Sequence, residues 1–325
     1  MDLILTTFGI YLHRSGELFL IKVNDETQEI SSRKVRSILI TVGASLSTDA
    51  IQLAVEKNID LIFLDKFGDP YARIWHGKLG STTAIRRQQL RIADTEAGFQ
   101  LALAWIVRKI NNQLDYLDSA RKKRTRLSSL LTEAIEKLTV SRDEIAALSG
   151  TLAEMRSTIF QLEMQAAKLY WQTINLFLPE SYHFEQRSKR PAQDEFNCLL
   201  NYAYGVLYGI VERCCVLAGL DPYVGFIHTD DYNKQSFVFD LIECYRIWAD
   251  ESVVNLFANR QVKLNLFDKL HNGLTLNQDG KAVLINSLVN FLDEKIPYNR
   301  RQVQRREVVQ LDCHHIANQL LDNTP

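Results

Sequence analysis

The sequence has no pair of cysteines at CxxC spacing, although it contains cysteines at positions 198, 214, 215, 244 and 313. These cysteines sit among apolar residues, which indicates reduced thiols rather than a disulfide framework or a zinc site. No apolar run reaches about 18 residues, and the first residues lack a basic segment followed by a small-residue cleavage site. We therefore expect a soluble, cytoplasmic protein without a membrane span.

Neither sign of charge is in excess, because 38 basic residues stand against 39 acidic ones. This balance excludes a global positive field, so a nucleic-acid partner would have to be bound by local basic patches. Basic clusters occur at residues 121–126, 187–190 and 299–306. Most clusters of this kind are simply exposed loops or helix faces, so they do not indicate a partner by themselves.

Proline is absent from residues 84–177 and glycine occurs there only at 98 and 150. This scarcity, with apolar residues at helical spacing, favours long helices. Residues 1–76 instead contain short apolar runs, a hairpin-turn signal at Arg14-Ser-Gly16-Glu, and one short helix capped by Ser47 or Thr48. The pattern predicts a two-domain α+β protein. A small β domain (residues 1–80), with a linker at 76–83, precedes a larger, all-α C-terminal domain (residues 81–325).

One glutamate lies in an otherwise apolar stretch, Ile159-Phe-Gln-Leu-Glu163-Met-Gln-Ala-Ala167. If this stretch is helical, the residues one turn either side of Glu163 are apolar, so its carboxylate projects from an apolar face. A lone buried carboxylate is costly, and the cost is offset where a partner lies opposite. Most helix glutamates face solvent, so Glu163 alone does not indicate a function.

Candidate partners for Glu163 lie in the segment Gly225-Phe-Ile-His228 and in the helix that contains Asp240 and Glu243. The two acids share a helix face, and the intervening turn near residues 230–233 is long enough to fold His228 over the helix start. Two acids and a histidine cannot share a small volume as bare charges, and a divalent metal resolves the repulsion. The main competing explanation is an ion pair between Glu243 and Arg246.

Four stretches of the sequence carry a family resemblance. They are Glu163-Met-Gln-Ala-Ala-Lys-Leu-Tyr-Trp, Arg187-Ser-Lys-Arg-Pro-Ala-Gln-Asp-Glu-Phe-Asn-Cys-Leu-Leu-Asn-Tyr, Ala218-Gly-Leu-Asp-Pro-Tyr-Val-Gly-Phe-Ile-His228 and Ser236-Phe-Val-Phe-Asp-Leu-Ile-Glu243. Together they closely resemble the CRISPR-associated spacer-acquisition integrase, the CRISPR-associated protein 1 family, whose architecture is also a β domain followed by a helical one. One departure is Met164, where the family usually has glycine, which bears on how closely the helix packs.

The resemblance implies a metal-dependent DNA endonuclease and integrase. Such an enzyme inserts short foreign DNA fragments (spacers) into a CRISPR array by attack of a 3′ hydroxyl on a phosphodiester. By motif position, Glu163, His228 and Glu243 would be metal ligands, and Asp240 an auxiliary catalytic acid. The resemblance also implies a prokaryotic homodimer joined through its β domains, with two dimers flanking a dimer of the small adaptation partner (the CRISPR-associated protein 2 family) in a heterohexamer.

The chemistry of these residues agrees with that function. Mg²⁺ or Mn²⁺ would polarise the scissile phosphate and activate a 3′ hydroxyl or a water. A histidine ligand favours Mn²⁺, since Mg²⁺ prefers oxygen donors. Arg187, Lys189 and Arg190 are the candidates for contacts to the backbone of double-stranded DNA, which would make binding salt-dependent.

Two other functions stay open at this point. A metal-dependent nuclease acting on branched DNA in repair would use the same ligands. A non-catalytic dimeric DNA-binding scaffold would carry these acids for structure alone, so Glu163→Ala would lower its stability without affecting DNA processing. We predict instead that Glu163→Ala abolishes activity and leaves folding unchanged or improved, because removing one acid relieves repulsion when metal is absent.

Overall fold

The computed structural model describes residues 1–24, 26–57, 59–68, 70–74, 83–228 and 234–322, which form two compact units. The first unit contains Met1–Leu79, Ser188–Gly209 and Arg260–Asn290, and the second contains Gly80–Arg187, Ile210–Asn259 and Phe291–Pro325. The first unit thus combines the predicted β domain with two later segments. Of the predicted linker at residues 76–83, only Thr83 is among the described residues. The predicted domain boundary at residue 80 stays a prediction.

Eight short strands of the first unit form two four-stranded sheets. They are β1 (Asp2–Leu5), β2 (Tyr11–Ser15), β3 (Leu18–Val23), β4 (Glu26–Ser31), β5 (Ser37–Ile40), β6 (Ser45–Leu46), β7 (Asp60–Leu64) and β8 (Pro70–Ile74). One sheet has the order β1-β5-β7-β8 and is parallel except for β8, and the other has the order β4-β3-β2-β6. Gly16, at φ 59°, lies in the turn between β2 and β3, which confirms the predicted hairpin.

Helix α1 (Thr48–Glu56) packs in the core of this unit. Its first turn is capped by Ser47, whose hydroxyl accepts the N–H of Ala50 at 3.2 Å, as the sequence predicts. The core that α1 shares with the strands includes the fully buried side chains of Phe19, Ile38 and Leu53. The alternating apolar residues of the N-terminal strands therefore find their partners within the first unit.

Helices make up most of the second unit. They are α2 (Thr83–Ile92), α3 (Glu96–Lys123), α4 (Ser128–Ala146), α5 (Leu152–Asn175), α7 (Ser236–Ile242), α8 (Arg246–Ala258) and α10 (Arg305–Asp322), while α6 (Glu195–Leu217) and α9 (Gln278–Asp293) contribute residues to both units. The longest, α3, contacts α2, α4, α5, α7 and α8. The scarcity of proline and glycine between residues 84 and 177 thus yields the long helices that it predicts.

The prediction that residues 81–325 are entirely helical is wrong at two hairpins. These are β9 (Phe267–Leu270) with β10 (Gly273–Leu276), and β11 (Lys295–Tyr298) with β12 (Arg301–Gln304). The second hairpin turns at Asn299 and Arg300, which have φ angles of 45° and 64°. Two consecutive positive φ angles match the twist of a two-residue hairpin, and Pro297 disfavours a helix there.

The structure confirms the prediction that the cysteines are reduced thiols in apolar surroundings. All five cysteines are free and buried. Burial raises the pKa of the Cys244 thiol to about 12, so it is unreactive at neutral pH. Among the described residues, no helix combines the length and the apolar character that crossing a membrane requires.

Candidate functional site

Helix α5 carries Glu163 near its middle. The helix begins at Leu152 and is capped by the preceding Thr151, whose side chain forms a capping box with Glu154. Ile159 and Ala166, one turn before and after Glu163, are buried, so the predicted apolar face exists. The Glu163 side chain is 19% exposed. Its carboxylate therefore lies at the edge of an apolar face, where it requires a cationic partner.

Met164 does not disturb the packing of α5. Its side chain is 67% exposed, so it lies away from the packed face of the helix. A glycine at this position would therefore leave the buried contacts of Glu163 unchanged. The departure from the family pattern affects the surface beside the site rather than the geometry of the carboxylate.

Lys109, on α3, lies between Glu163 and Glu243. Its Nζ donates to Oε1 of Glu163 and lies 2.6 Å from Oε2 of Glu243. The Glu243 and Lys109 side chains are only 6% and 11% exposed. Arg246 lies on the other side of Glu243, with Nη1 2.6 Å from Oε1, so the competing ion pair is present. Two acids from separate helical segments thus converge on one ammonium group.

Opposite charges determine the protonation of this cluster. Burial alone would raise the pKa of Glu243, but Arg246 and Lys109 outweigh it, and the pKa lies below its usual value. Burial alone would lower the pKa of Lys109, but Glu163 and Glu243 outweigh it and raise the pKa. The 2.6 Å contact between Lys109 Nζ and Oε2 of Glu243 is therefore a charge-assisted interaction between two ionised groups.

Asp240 holds the loop that carries His228. Its carboxylate, which is fully buried, accepts the backbone N–H of Phe226 at 2.6 Å, of Ile227 at 3.1 Å and of His228 at 3.0 Å. Its Oδ1 also lies 2.6 Å from Nδ1 of His228. Because the carboxylate is the acceptor, the neutral tautomer that fits this contact has its proton on Nδ1 and its lone pair on Nε2. Asp240 therefore orients the imidazole, a role that the sequence did not reveal.

His228 lies beside the helix that carries Glu163. Its ring centroid is 5.8 Å from that of Phe160, which is one turn before Glu163, and 5.9 Å from that of Phe239 on α7. In its protonated form, His228 would also lower the pKa of Glu243, after the larger effects of burial, Arg246 and Lys109. The imidazole is therefore within electrostatic range of the two-carboxylate cluster.

The structure brings the four predicted residues into one region, but it does not arrange three of them around one point. Among the described residues, no three His, Cys, Asp or Glu side chains are grouped so that they could hold a metal ion. The predicted turn near residues 230–233 lies outside the described residues. Two observations fit a divalent cation. Lys109 provides a stand-in cation between the carboxylates, and the pairing of His228 with Asp240 is typical of metal-ligating histidines.

Lys109 was not predicted as a site residue, because its helix face is apolar on one side only, and Asn112 and Gln113 follow it one turn later. Trp105 and Ile106, one turn before Lys109 on α3, are buried. A lysine on an apolar helix face needs an acidic partner for the same reason that a glutamate needs a basic one.

The candidate DNA-contact residues differ in their surroundings. The guanidinium of Arg187 lies over the ring of Trp171, 5.2 Å from its centroid. The side-chain amide of Asn201 donates to the carbonyl oxygen of Lys189 at 2.6 Å and so fixes the backbone at Lys189. The side chains of Lys189 and Arg190 are exposed.

Comparison with known proteins gives one family. The model of a family described as CRISPR associated protein Cas1 matches residues 3–290. A CRISPR-associated endonuclease Cas1 from Archaeoglobus fulgidus is 32% identical, over 98% of this chain and 95% of its own length. Another, from Saccharolobus solfataricus, is 30% identical over 76% of this chain and 72% of its own length.

Solved structures share the fold. A casposase bound to an integration product has a TM-score of 0.83 at 24% identity, covering 100% of this chain and 92% of its own. A Cas1 protein from Thermotoga maritima has a TM-score of 0.82 at 21% identity, covering 99% of this chain and 97% of its own. A chain of a Cas6-RT-Cas1–Cas2 complex has a TM-score of 0.81 at 20% identity, and this chain spans 35% of it.

Proposed function

The chain belongs to the Cas1 family of CRISPR-associated proteins, and from that membership we infer its function. It is a DNA endonuclease and integrase that inserts short foreign DNA fragments into a CRISPR array. The assignment rests on a match over most of the chain and on a relative, named an endonuclease, that aligns with 98% of it. Activity of this family requires a divalent metal, and the residues of the candidate site are suited to hold one.

We propose that Glu163, Glu243 and Nε2 of His228 hold this metal. The observation that carries the proposal is the convergence of two carboxylates, from α5 and from the end of α7, on a single cation. Glu243 faces two cations, Arg246 at Oε1 and Lys109 at Oε2, so the site already concentrates positive charge on its carboxylates. The imidazole donor favours Mn²⁺ over Mg²⁺.

Glu163, Glu243 and His228 would hold a divalent ion, which would supply Lewis acidity at the scissile phosphate. In the joining reaction, the 3′ oxygen of the incoming fragment bonds to phosphorus and the 3′ oxygen of the array strand leaves. Cleavage differs only in that water provides the attacking oxygen. Asp240 holds the imidazole of His228 at Nδ1, which leaves Nε2 as the nitrogen that would bind the ion. Arg246 pairs with Oε1 of Glu243 and neutralises its charge there. Burial of Glu243 limits water at this side of the site.

The DNA contacts and assembly are further parts of the proposal. We propose that Arg187, Lys189 and Arg190 contact the DNA backbone. Two observations support this: the side chains of Lys189 and Arg190 are exposed, and Asn201 fixes the protein backbone at Lys189. The protein works as a homodimer, joined through its β domains, with a dimer of the small adaptation partner in a heterohexamer. A solved complex with this fold is described as containing Cas2. We place its activity in the prokaryotic cytoplasm.

A joining assay tests the function. The protein is mixed with a short duplex that bears 3′ hydroxyls, a plasmid that carries a repeat, and Mn²⁺ or Mg²⁺. We expect covalent joining of the duplex to the plasmid. Cut products without joined ones would instead favour a nuclease of branched-DNA repair, and absence of both would favour a non-catalytic DNA-binding scaffold.

The matched variants are Glu163→Gln and Glu133→Gln. Glu163→Gln removes a proposed ligand, so joining should be lost. Glu133 is exposed on α4 and pairs with its helix neighbour Lys137, so its replacement should leave joining intact. Equal activity of both variants with wild type would contradict the assignment of Glu163.

A further inference from the structure

Lys109 occupies the position between Glu163 and Glu243 that a metal ion would need. Its ammonium contacts an oxygen of each carboxylate, and its side chain is almost fully buried. The ammonium is therefore a resident counter-ion of the site rather than a surface charge. It sits at the end of a flexible four-carbon stem, so it can leave the position without movement of α3.

The charges around the Glu163–Glu243 pair already balance. Two carboxylates, Glu163 and Glu243, face two cations, Lys109 and Arg246. A divalent ion added to this arrangement would bring two uncompensated positive charges into a partly buried space. Withdrawal of the Lys109 ammonium lowers that excess and frees the carboxylate oxygens that it contacts. Arg246 contacts the other oxygen of Glu243 and can stay in place.

We propose that Lys109 is an internal competitor of the metal, which holds the two carboxylates together in the metal-free protein and swings away when the metal binds. This inference rests on the proposed metal ligands. It explains why the acids lie close together without mutual repulsion and why the three ligands do not yet surround one point. Lys109 thereby sets the metal concentration at which the site becomes active.

Titration calorimetry with MnCl₂ and metal-free protein tests the inference. Lys109→Met keeps the length of the side chain and removes its charge, so Mn²⁺ should bind at least about tenfold more tightly. Lys109→Arg keeps the charge and should bind Mn²⁺ no more tightly than wild type. Lys137→Met, on the exposed face of α4, should match wild type. Binding by Lys109→Met that equals or falls below wild type would overturn the proposal.

A second measurement uses only the wild-type protein, so it does not depend on the folding of a variant. Lysine acylation by an N-hydroxysuccinimide ester is followed at each residue by mass spectrometry, with and without Mn²⁺. If the metal displaces Lys109, its acylation should rise several-fold on Mn²⁺ addition while that of Lys137 stays constant. An unchanged or lower rate at Lys109 would refute displacement.

Glu163→Gln separates this inference from the proposed function. If Glu163→Gln loses Mn²⁺ binding but Lys109→Met binds as wild type does, the ligand assignment stands and the role of Lys109 is wrong. If Glu163→Gln binds Mn²⁺ as wild type does, the metal site lies elsewhere. The competition would then be refuted together with the proposed ligand set.

Discussion

Asp240 binds His228 at two points, accepting its backbone N–H at 3.0 Å and its ring Nδ1 at 2.6 Å. One buried carboxylate therefore fixes both the loop and the orientation of the imidazole. The arrangement resembles the carboxylate–histidine pairs that orient metal ligands in many enzymes. It connects the fold of residues 225–240 directly to the donor atom that the site would use.

Replacing Asp240 tests this connection. Asp240→Asn replaces one accepting oxygen with an NH₂ donor. Some of the backbone N–H groups of residues 226–228, or the ring Nδ1 of His228, would then lose their acceptor. We expect a loss of about 1–3 kcal/mol in the free energy of unfolding and a decrease of roughly 10–100-fold in the joining rate. Chemical denaturation and the joining assay measure the two effects. Asp143→Asn, on an exposed part of α4, is the control, and wild-type joining by Asp240→Asn would refute the positioning role.

The structure changes the expectation for Glu163. Glu163→Ala was expected to leave folding unchanged or improve it by relieving repulsion, but the ion pair with Lys109 already compensates that repulsion. For Glu163→Gln we now expect joining to fall at least about 100-fold and stability to fall by about 1 kcal/mol. Thermal unfolding in EDTA checks the second part. A rise in melting temperature would restore the original expectation.

Local sequence patterns predicted which residues lie near one another, while their roles stay predictions. The apolar neighbours of Glu163 and the spacing of Asp240 and Glu243 led to the expectation that these residues lie in one region, and the contacts through Lys109 and His228 agree with it. Lys109 escaped because it is distant in sequence, and only the packing of α3 against α5 and α7 brings it to the acids. Long-range pairing of charges depends on tertiary packing, which periodicity alone does not encode.

The same distinction holds for the fold. Strands near the N-terminus and long helices follow from turn residues and from helical spacing. The hairpin at Leu270–Gly273 was missed because its flanking segments are short and lie within a helical region. Its Asn272-Gly273 pair is a recognised turn signal that helical periodicity outweighed. Short strands carry too few residues for a period to be read with assurance.

Gly225 is required where the His228 loop approaches α7. A Cβ at this position would lie 2.4 Å from the Cβ of Ser236 and 2.5 Å from the carbonyl oxygen of His228. We expect Gly225→Ala to lower stability by roughly 1–3 kcal/mol and to weaken Mn²⁺ binding, because the loop must shift. Gly209→Ala is the control, since its nearest contacts begin at 3.4 Å. Equal effects of the two variants on Mn²⁺ binding would contradict this account.

Lys189 provides a test of DNA binding. Its side chain is exposed, while its carbonyl is fixed by Asn201. If it contacts a phosphate, Lys189→Ala should weaken binding to all DNA sequences alike. The slope of log K against log salt should become about 0.9 less negative. Fluorescence anisotropy across a salt series measures this, with Lys137→Ala as the control. An unchanged slope would remove Lys189 from the DNA contacts.

Glu251, on α8, makes stability depend on pH. Burial raises its pKa to about 7 from the ordinary 4.5, and Arg305 opposes the shift only in part. Between these values the folded state keeps the proton that the unfolded state has lost, so stability falls as pH rises from about 5 to 7 and then levels off.

Glu251→Gln removes this titrating group and should remove the dependence with it. The variant should match wild type near pH 5 and exceed it by roughly 1–3 kcal/mol near pH 8, where wild type must bury a charged carboxylate. Denaturation curves at the two pH values give the difference directly, with Glu133→Gln as the exposed control. An equal change in stability at both pH values would show that Glu251 has an ordinary pKa in the folded protein, because only a shifted group couples folding to proton binding.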